Sequence, residues 1–186
     1  MEKLHLYLVR HCESLGNREN IFQGQLDLDI SATGEKQLAL LALRFRNIPI
    51  DAVYSSPLKR AYKTAEAVDL YHSLPIIKLP ELMEVDVGAL SGMKLDKAFA
   101  DYPVFAEKWQ NSPQNCIFPE GETTAEVYDR AKKALARVKA DCMGQTAVIT
   151  SHGFLLRCMA CEILEHDIEC LSDIRIGGNT SVSEFY

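Results

Sequence analysis

Residues 3–9, Lys-Leu-His-Leu-Tyr-Leu-Val, decide the fold class because they alternate between polar and apolar side chains and then become continuously apolar. Such a pattern is typical of a strand that is buried in a sheet with both faces covered. Arg10 and His11 follow this run directly. The segment therefore predicts a buried first strand whose carboxyl end carries a guanidinium and an imidazole.

Strand and helix patterns alternate along the rest of the chain. Further strands are predicted at residues 52–54, 75–79 and 146–150. Helices are predicted from a Ser31 cap to about Asn47, from Ser56-Pro57, behind a capping box at Thr123, and after Ser151-His152-Gly153. Residues 80–122 contain four prolines and show the least regular pattern. The alternation predicts an α/β fold, a three-layer α/β/α sandwich with a mainly parallel sheet, formed by residues 1–186 as a single domain.

The composition and net charge of the chain argue against several classes of protein. The chain has 186 residues, and its 47% hydrophobic and 25% charged content is ordinary for a globular domain. It lacks an apolar run of the ~20 residues that a membrane span needs, and its first residues do not resemble a signal peptide. We therefore expect a cytoplasmic protein whose six cysteines are reduced thiols. A net charge of −6 argues against a nucleic-acid partner.

Charged and titratable side chains follow several of the predicted strands. Arg10 and His11 follow the first strand, Arg60 the second, Glu84 the third, and His152 the last. Ligands of such sheets bind beyond the carboxyl ends of the strands, so we expect these side chains to converge. Two guanidinium forks and the start of a helix suit a phosphate group, a neutral imidazole is a suitable nucleophile, and a carboxyl can protonate a leaving oxygen.

Residues 8–17, Leu-Val-Arg-His-Cys-Glu-Ser-Leu-Gly-Asn, resemble the Arg-His-Gly-Glu signature of the histidine phosphatase superfamily, also called phosphoglycerate-mutase-like. Supporting segments follow in the order of that family at residues 31–37, 55–61, 84–88, 119–123 and 151–153. The resemblance implies that Nε2 of His11 is transiently phosphorylated and that Glu84 donates the proton. It further implies that Arg10, Arg60, Asn17 and His152 hold the phosphoryl group, with Gln23, Gly24 and Gly153 beside the substrate. No metal is needed if the arginines and His152 neutralise the charge that develops on the phosphoryl oxygens, and no cofactor is expected.

The implied activity is hydrolysis of a small, anionic phosphorylated metabolite through a phosphohistidine intermediate. A phosphoglycerate-mutase-type transfer and a non-catalytic phospho-ligand binding module are the alternatives. Only 67 residues separate Glu84 from His152, which leaves limited room for the covering segments of a mutase and favours a phosphatase. The natural substrate, a homodimer and closure of residues 86–118 over the ligand stay open at this stage.

Three further features permit more than one interpretation. Cys12 stands where the family usually has glycine, and we hypothesise that nearby arginines lower its thiol pKa and make the enzyme sensitive to oxidation. Cys158 and Cys161 have the spacing of a metal or redox pair but lie in an apolar helix without a second ligand pair, so we expect core residues. Three aromatic residues of the irregular region are expected either in the core or in a pocket wall: Phe105, Trp109 and Phe118.

Overall fold

A computed structural model describes residues 3–186, which form a five-stranded sheet in the order β3-β2-β4-β1-β5. The strands are β1 (His5–Arg10), β2 (Ala52–Ser55), β3 (Ile76–Lys78), β4 (Thr146–Ser151) and β5 (Val182–Phe185). The first four run parallel, whereas β5 pairs antiparallel with β1 at one edge. The mainly parallel sheet is thus confirmed. Strand β5 was not predicted, because its four residues are partly exposed and give no apolar run.

Seven α-helices surround the sheet within residues 3–186. They are α1 (Leu15–Arg18), α2 (Ala32–Phe45), α3 (Lys59–Asp69), α4 (Leu95–Asp101), α5 (Pro103–Asn111), α6 (Thr124–Cys142) and α7 (Gly153–Ile163). The predicted caps of α2 at Ser31 and α6 at Thr123 are present. Across the described part of the chain, no helix combines the length and apolar composition that crossing a bilayer requires.

The predicted start of α3, with Ser56 as cap and Pro57 as first residue, is wrong by two residues. The helix begins at Lys59, and Leu58 occupies its cap position without a side-chain hydrogen bond. The Lys59 amide instead donates to Oδ1 of Asp27 at 2.7 Å, so a distant loop supplies the cap. Oγ of Ser56 accepts from the Leu58 amide at 3.3 Å and also contacts a second partner, described below.

The sheet is covered on both faces, which confirms the three-layer architecture. Leu6, Leu8 and Ile149 point to the face that packs against α6 and α7. Tyr7 and Val9 point to the opposite face, where they pack with residues of α2 and α3. Successive side chains of a strand face opposite sides, so the continuously apolar run in β1 is explained by this two-sided burial.

Residues 80–122, predicted as irregular, are broken into short helical segments that pack on the core. 3₁₀ turns at residues 80–82 and 88–90 precede the consecutive helices α4 and α5, and a third turn at residues 113–115 follows them. Phe105 and Phe118 are 5% and 1% exposed. Their rings belong to an aromatic cluster with centroid distances between 5.1 and 6.4 Å: Phe22, Phe99, Phe105, Trp109, Phe118 and Phe154. The short helices are thus held by aromatic packing, which a strand or helix period does not reveal.

Candidate active site

The strand register places two imidazoles side by side at the carboxyl edge of the sheet. Arg10 pairs with Ser151 in the parallel β1–β4 ladder, so the next residue on each strand, His11 and His152, are neighbours. Their ring centroids lie 5.1 Å apart, and the side chains are 3% and 0% exposed. Residues 141 positions apart in the chain therefore meet as the strand ends predicted.

A cavity of about 320 Å³ opens at this edge. Eight of the nine predicted site residues line it: Arg10, His11, Asn17, Gln23, Gly24, Arg60, Glu84 and Gly153. His152 does not belong to the cavity wall and lies beside the His11 ring. Trp109 and Phe118 also line the cavity. Both interpretations, core and pocket wall, therefore hold for Trp109 and Phe118, whereas Phe105 belongs to the core alone.

The surroundings of His11 leave its outer nitrogen available as a nucleophile. Nδ1 lies 2.6 Å from the carbonyl oxygen of Cys12, which can only accept, so Nδ1 carries the proton and Nε2 the lone pair. Burial, and then the charges of Arg60 and Arg10, hold the pKa of His11 well below its usual range. The ring is consequently neutral at physiological pH.

Two arginines carry positive charge into the cavity without a carboxylate partner. Arg60 is 1% exposed, and its two terminal nitrogens donate to the carbonyl oxygens of Leu26 and Gly24, both at 2.7 Å. Arg10 donates from Nη1 to the Gly177 carbonyl at 2.9 Å. Among the described residues, no carboxylate lies within 4.0 Å of either guanidinium. The two charges thus remain available to an anionic ligand.

Unpartnered polar atoms concentrate around the same cavity. Nε2 of His152 is 2.8 Å from Oγ of Ser56, whereas its Nδ1 has no partner within residues 3–186. Nε of Arg10 and Nε of Arg60 are likewise buried without a partner. Buried polar groups are nearly always hydrogen-bonded, and each exception calls for an explanation. Three unpartnered nitrogens from three residues of one site suit an oxyanion with several acceptor oxygens.

Glu84 is held at the start of helix α7. Its Oε1 accepts from the amide of Leu155 at 3.2 Å, and its Oε2 accepts from the amide of Phe154 at 3.3 Å. These two bonds to free amides at the helix N-terminus fix the direction of the Glu84 side chain. Glu84 therefore connects the loop that follows β3 to the start of α7, and its side chain lines the cavity.

An ion pair fastens the loop that carries Glu84. Arg130 of α6 donates from Nη1 to the carbonyl oxygens of Glu81 at 2.9 Å and Met83 at 2.8 Å. The same guanidinium makes two bonds to the carboxylate of Glu122, at 2.7 and 2.8 Å. Glu122 lies in the motif segment 119–123, but nothing in the sequence pattern singled out Arg130.

Asn17 and Gln23 reach the cavity from the loop around α1. Oδ1 of Asn17 accepts from the Ser14 amide at 3.1 Å, which completes a capping box, so Asn17 both caps α1 and lines the cavity. Oε1 of Gln23 accepts from Oγ of Ser14 at 2.6 Å. Gly24 has a φ of +49° and a hypothetical Cβ would lie 2.7 Å from Val87, so glycine is required there.

The C-terminal loop supplies site residues that sequence reasoning missed. Ile174, Arg175 and Ile176 line the cavity together with Arg157 of α7. Nδ2 of Asn179 donates to the carbonyl of His11 at 2.9 Å. The recognised motifs end near residue 160, and the loop has no periodic pattern. The only signal in this region was the turn-forming Gly177-Gly178-Asn179 segment before β5.

The structure contradicts the hypothesis about Cys12. The side chain is 0% exposed and does not line the cavity, and its Sγ lies 3.8 Å from the carbonyl oxygen of Arg60 in α3. The Cys12 amide donates to Oγ1 of Thr64 at 3.0 Å. Burial raises the pKa of the thiol, the opposite of the expected direction. Cys12 is also absent from the residues with positive φ, so its backbone does not require glycine. The lowered thiol pKa on which the expected oxidation sensitivity depended is therefore absent.

Cys158 and Cys161 are both buried in α7. Burial raises the pKa of both thiols, as expected for apolar surroundings. Across residues 3–186, no group of three or more His, Cys, Asp or Glu side chains is placed to hold a metal ion. Both cysteines act as small core residues in this fold.

Stability is expected to fall as the pH drops below about 6.5. Burial lowers the pKa of His11 and of His152, so the unfolded chain takes up protons that the folded chain does not bind. Each histidine then contributes up to about 1.4 kcal/mol of lost stability per pH unit below about pH 6.5. Urea unfolding at several pH values measures this slope. A His11→Asn variant should show a shallower slope, and an unchanged slope would contradict neutral burial of His11.

Comparison with known proteins agrees with this geometry. The profile of the histidine phosphatase superfamily (branch 1) matches residues 6–186, so the chain belongs to this superfamily. It is 39% identical over 163 residues to phosphoserine phosphatase 1 of Hydrogenobacter thermophilus, covering 88% of this chain and 77% of that one. It is 32% identical over 161 residues to the "Probable phosphoglycerate mutase GpmB" of Escherichia fergusonii, covering 87% and 75%. The solved structure of Bacillus stearothermophilus YhfR superimposes with a TM-score of 0.91 at 26% identity, covering 97% and 90%.

Proposed function

We propose that this protein is a phosphomonoester hydrolase that acts on a small phosphorylated metabolite through a phosphohistidine at His11. One observation carries the proposal: the neutral His11 ring lies in a cavity with two arginines that lack a carboxylate partner within residues 3–186. Such a site attracts a phosphate dianion and offers it a nucleophile. The superfamily relationship and the name of the phosphoserine phosphatase relative support the same activity.

The reaction proceeds in two displacements. Nε2 of His11 attacks phosphorus in line, the bond from phosphorus to the ester oxygen breaks, and the Glu84 carboxyl donates its proton to the departing alkoxide. Water then attacks the phosphohistidine while the Glu84 carboxylate accepts a proton from it. Inorganic phosphate leaves, and both His11 and Glu84 return to their starting protonation states.

The charge that develops on the phosphoryl oxygens is neutralised by protein groups. Arg10 and Arg60 donate from their guanidinium groups, and the unpartnered Nδ1 of His152 together with Asn17 completes the ring of contacts. Gly153 lets the start of α7 approach the ligand, with Gln23 and Gly24 on the far wall. Because these residues come from β1 through α7, we propose that residues 1–186 act as one catalytic domain, without metal, cofactor or nucleic-acid partner.

Mutase activity is the second candidate, since one relative carries a mutase name. A mutase must protect its phosphoenzyme from water and hold the bisphosphorylated intermediate while it reorients. Only 67 residues lie between Glu84 and His152, and the short helices among them pack into the aromatic cluster. This arrangement favours hydrolysis. Incubation of 3-phosphoglycerate with a bisphosphorylated primer, followed for 2-phosphoglycerate, distinguishes the two activities.

Phosphate release from a set of phosphomonoesters tests the proposed function. The protein is expected to hydrolyse several small substrates, including p-nitrophenyl phosphate, at an unchanged rate after EDTA treatment, because arginines rather than metal hold the phosphate. Hydrolysis of none of them would refute the phosphatase proposal and favour a binding module. A large loss of rate on chelation, restored by added metal, would refute the metal-independent mechanism.

A further inference from the structure

Two arginines at the cavity wall are not used by the proposed reaction. Arg157 is half-buried, and Arg175 is exposed on the loop that follows the 3₁₀ turn at residues 168–172. Both line the same cavity as Arg10 and His11. The phosphoryl group already has Arg10 and Arg60 as cationic partners. A second pair of guanidiniums in so small a cavity therefore calls for a separate explanation.

Arg157 and Arg175 lack an acidic partner. Arg157 donates from Nε to the carbonyl of Ile174 at 2.8 Å and from Nη2 to that of Leu171 at 2.6 Å. Arg175 donates from Nη1 to the carbonyl of Ser172 at 2.7 Å. Within the described residues, neither has a carboxylate within 4.0 Å. Their charges lie close enough that Arg175, after burial, lowers the pKa of Arg157.

The bonds of Arg157 also hold the C-terminal loop in place, which is a structural role. They occupy Nε and Nη2, whereas Nη1 makes no hydrogen bond within residues 3–186. Arg175 has no comparable structural role, because its one side-chain bond within residues 3–186 goes to the carbonyl of Ser172, only three positions earlier. Holding the C-terminal loop explains part of the role of Arg157. It does not explain why a second cation, Arg175, lies beside it.

The spacing between the two cationic pairs fits a short, bifunctional ligand. Gly153 at the start of α7 contacts the Arg10 guanidinium, since a Cβ there would lie 3.4 Å from Cζ. Arg157 follows Gly153 by four residues and so lies about one helical turn, ~6 Å, further along the helix. Phe154 lies on the cavity wall between Gly153 and Arg157, and its ring stacks on Trp109 at a centroid distance of 5.4 Å. Glu84 also lines the cavity, but its carboxylate is bonded to the amides of Phe154 and Leu155. Within the described residues, no carboxylate lies within 4.0 Å of the second pair.

We propose that Arg157 and Arg175 bind a second anionic group of the substrate, a carboxylate a few bonds away from the phosphate. The proposal rests on the proposed function only in taking the Arg10–Arg60 end of the cavity as the phosphate end. Planar guanidiniums bind carboxylates with directed, charge-assisted bonds. The substrate class is then small phosphomonoesters of hydroxy or amino acids, and their neutral analogues bind less tightly.

A matched pair of ligands tests this subsite. Calorimetry with the full-length His11→Asn protein, which cannot form the phosphohistidine, compares 3-phosphoglycerate with glycerol 3-phosphate. The two compounds differ in whether the terminal carbon is a carboxylate or a neutral hydroxymethyl group. We expect 3-phosphoglycerate to bind at least about ten-fold more tightly, the usual effect of a hydrogen bond to a charged group. Adding Arg175→Gln should remove most of that preference and leave the dissociation constant for glycerol 3-phosphate within about two-fold.

Arg46→Gln is the matched control, because it removes one exposed positive charge away from the cavity and should leave the preference intact. Arg157→Lys, which keeps the charge but loses the fork, should weaken 3-phosphoglycerate selectively. Equal affinities for the two ligands, or a preference that survives Arg175→Gln, would overturn the proposal. Hydrolysis of p-nitrophenyl phosphate by the wild-type protein is measured separately. Failure of that hydrolysis refutes the enzyme function, whereas the binding comparison alone decides the subsite.

Discussion

Replacing His11 with alanine is expected to lower the turnover number for every phosphomonoester by on the order of 10⁴-fold or more, the scale of loss that follows removal of a covalent nucleophile. The physical reason is that His11 alone presents a neutral, buried imidazole whose Nδ1 proton is fixed by the Cys12 carbonyl. The arginines remain in this variant, so substrate binding should change far less than turnover. Steady-state kinetics with p-nitrophenyl phosphate measures both quantities.

A matched histidine variant controls for nonspecific effects. His166 is exposed near the end of α7 and does not line the cavity, so His166→Ala should retain wild-type kinetics. Circular dichroism of both variants establishes that they fold. Substantial turnover in a folded His11→Ala protein would contradict nucleophilic catalysis at this residue.

Replacing Glu84 with glutamine should lower kcat by about 10²–10⁴-fold for alkyl phosphates, the usual contribution of a general acid. The glutamine side chain keeps an acceptor oxygen for one of the two helix amides, and it cannot act as an acid. The loss should be much smaller in the phosphorylation of His11 by p-nitrophenyl phosphate, because p-nitrophenolate leaves without protonation. Pre-steady-state release of p-nitrophenol, compared with release of a simple alcohol, measures this contrast.

Glu81→Gln is the corresponding control. Glu81 lies in the same short turn, and its side chain does not line the cavity. This variant should behave as the wild type with both substrates. An equal loss with good and poor leaving groups in Glu84→Gln would indicate that Glu84 only positions other groups.

Much of the fold could be predicted because β1 and β4 are buried on both faces and therefore read as apolar runs. The cap residues Ser31 and Thr123 fixed two helix starts in the same way. Strand β5 escaped prediction because an edge strand of four partly exposed residues needs little apolar sequence. The start of α3 was misplaced because its cap comes from Asp27, which is 32 residues away and invisible to a local pattern.

Some residues of the candidate site could likewise be predicted from the sequence, and others could not. Residues directly after strands, such as His11 and His152, could be placed together because parallel strands end at the same edge. Arg130 and Arg175 could not, since their roles depend on tertiary contacts with loops that carry no periodic signal. The Cys12 hypothesis failed for a related reason: proximity in sequence to Arg10 does not determine which way a side chain turns.

The stereochemical course at phosphorus tests the central claim most directly. Each in-line displacement inverts the configuration, so transfer to His11 followed by transfer to water must give net retention. The measurement uses a phosphorothioate monoester that is chiral at phosphorus through two oxygen isotopes, hydrolysed in water enriched in the third isotope. The configuration of the released inorganic thiophosphate is then determined by phosphorus NMR. Retention is the predicted result. Inversion would mean that water attacks the substrate directly and that no phosphohistidine lies on the reaction path.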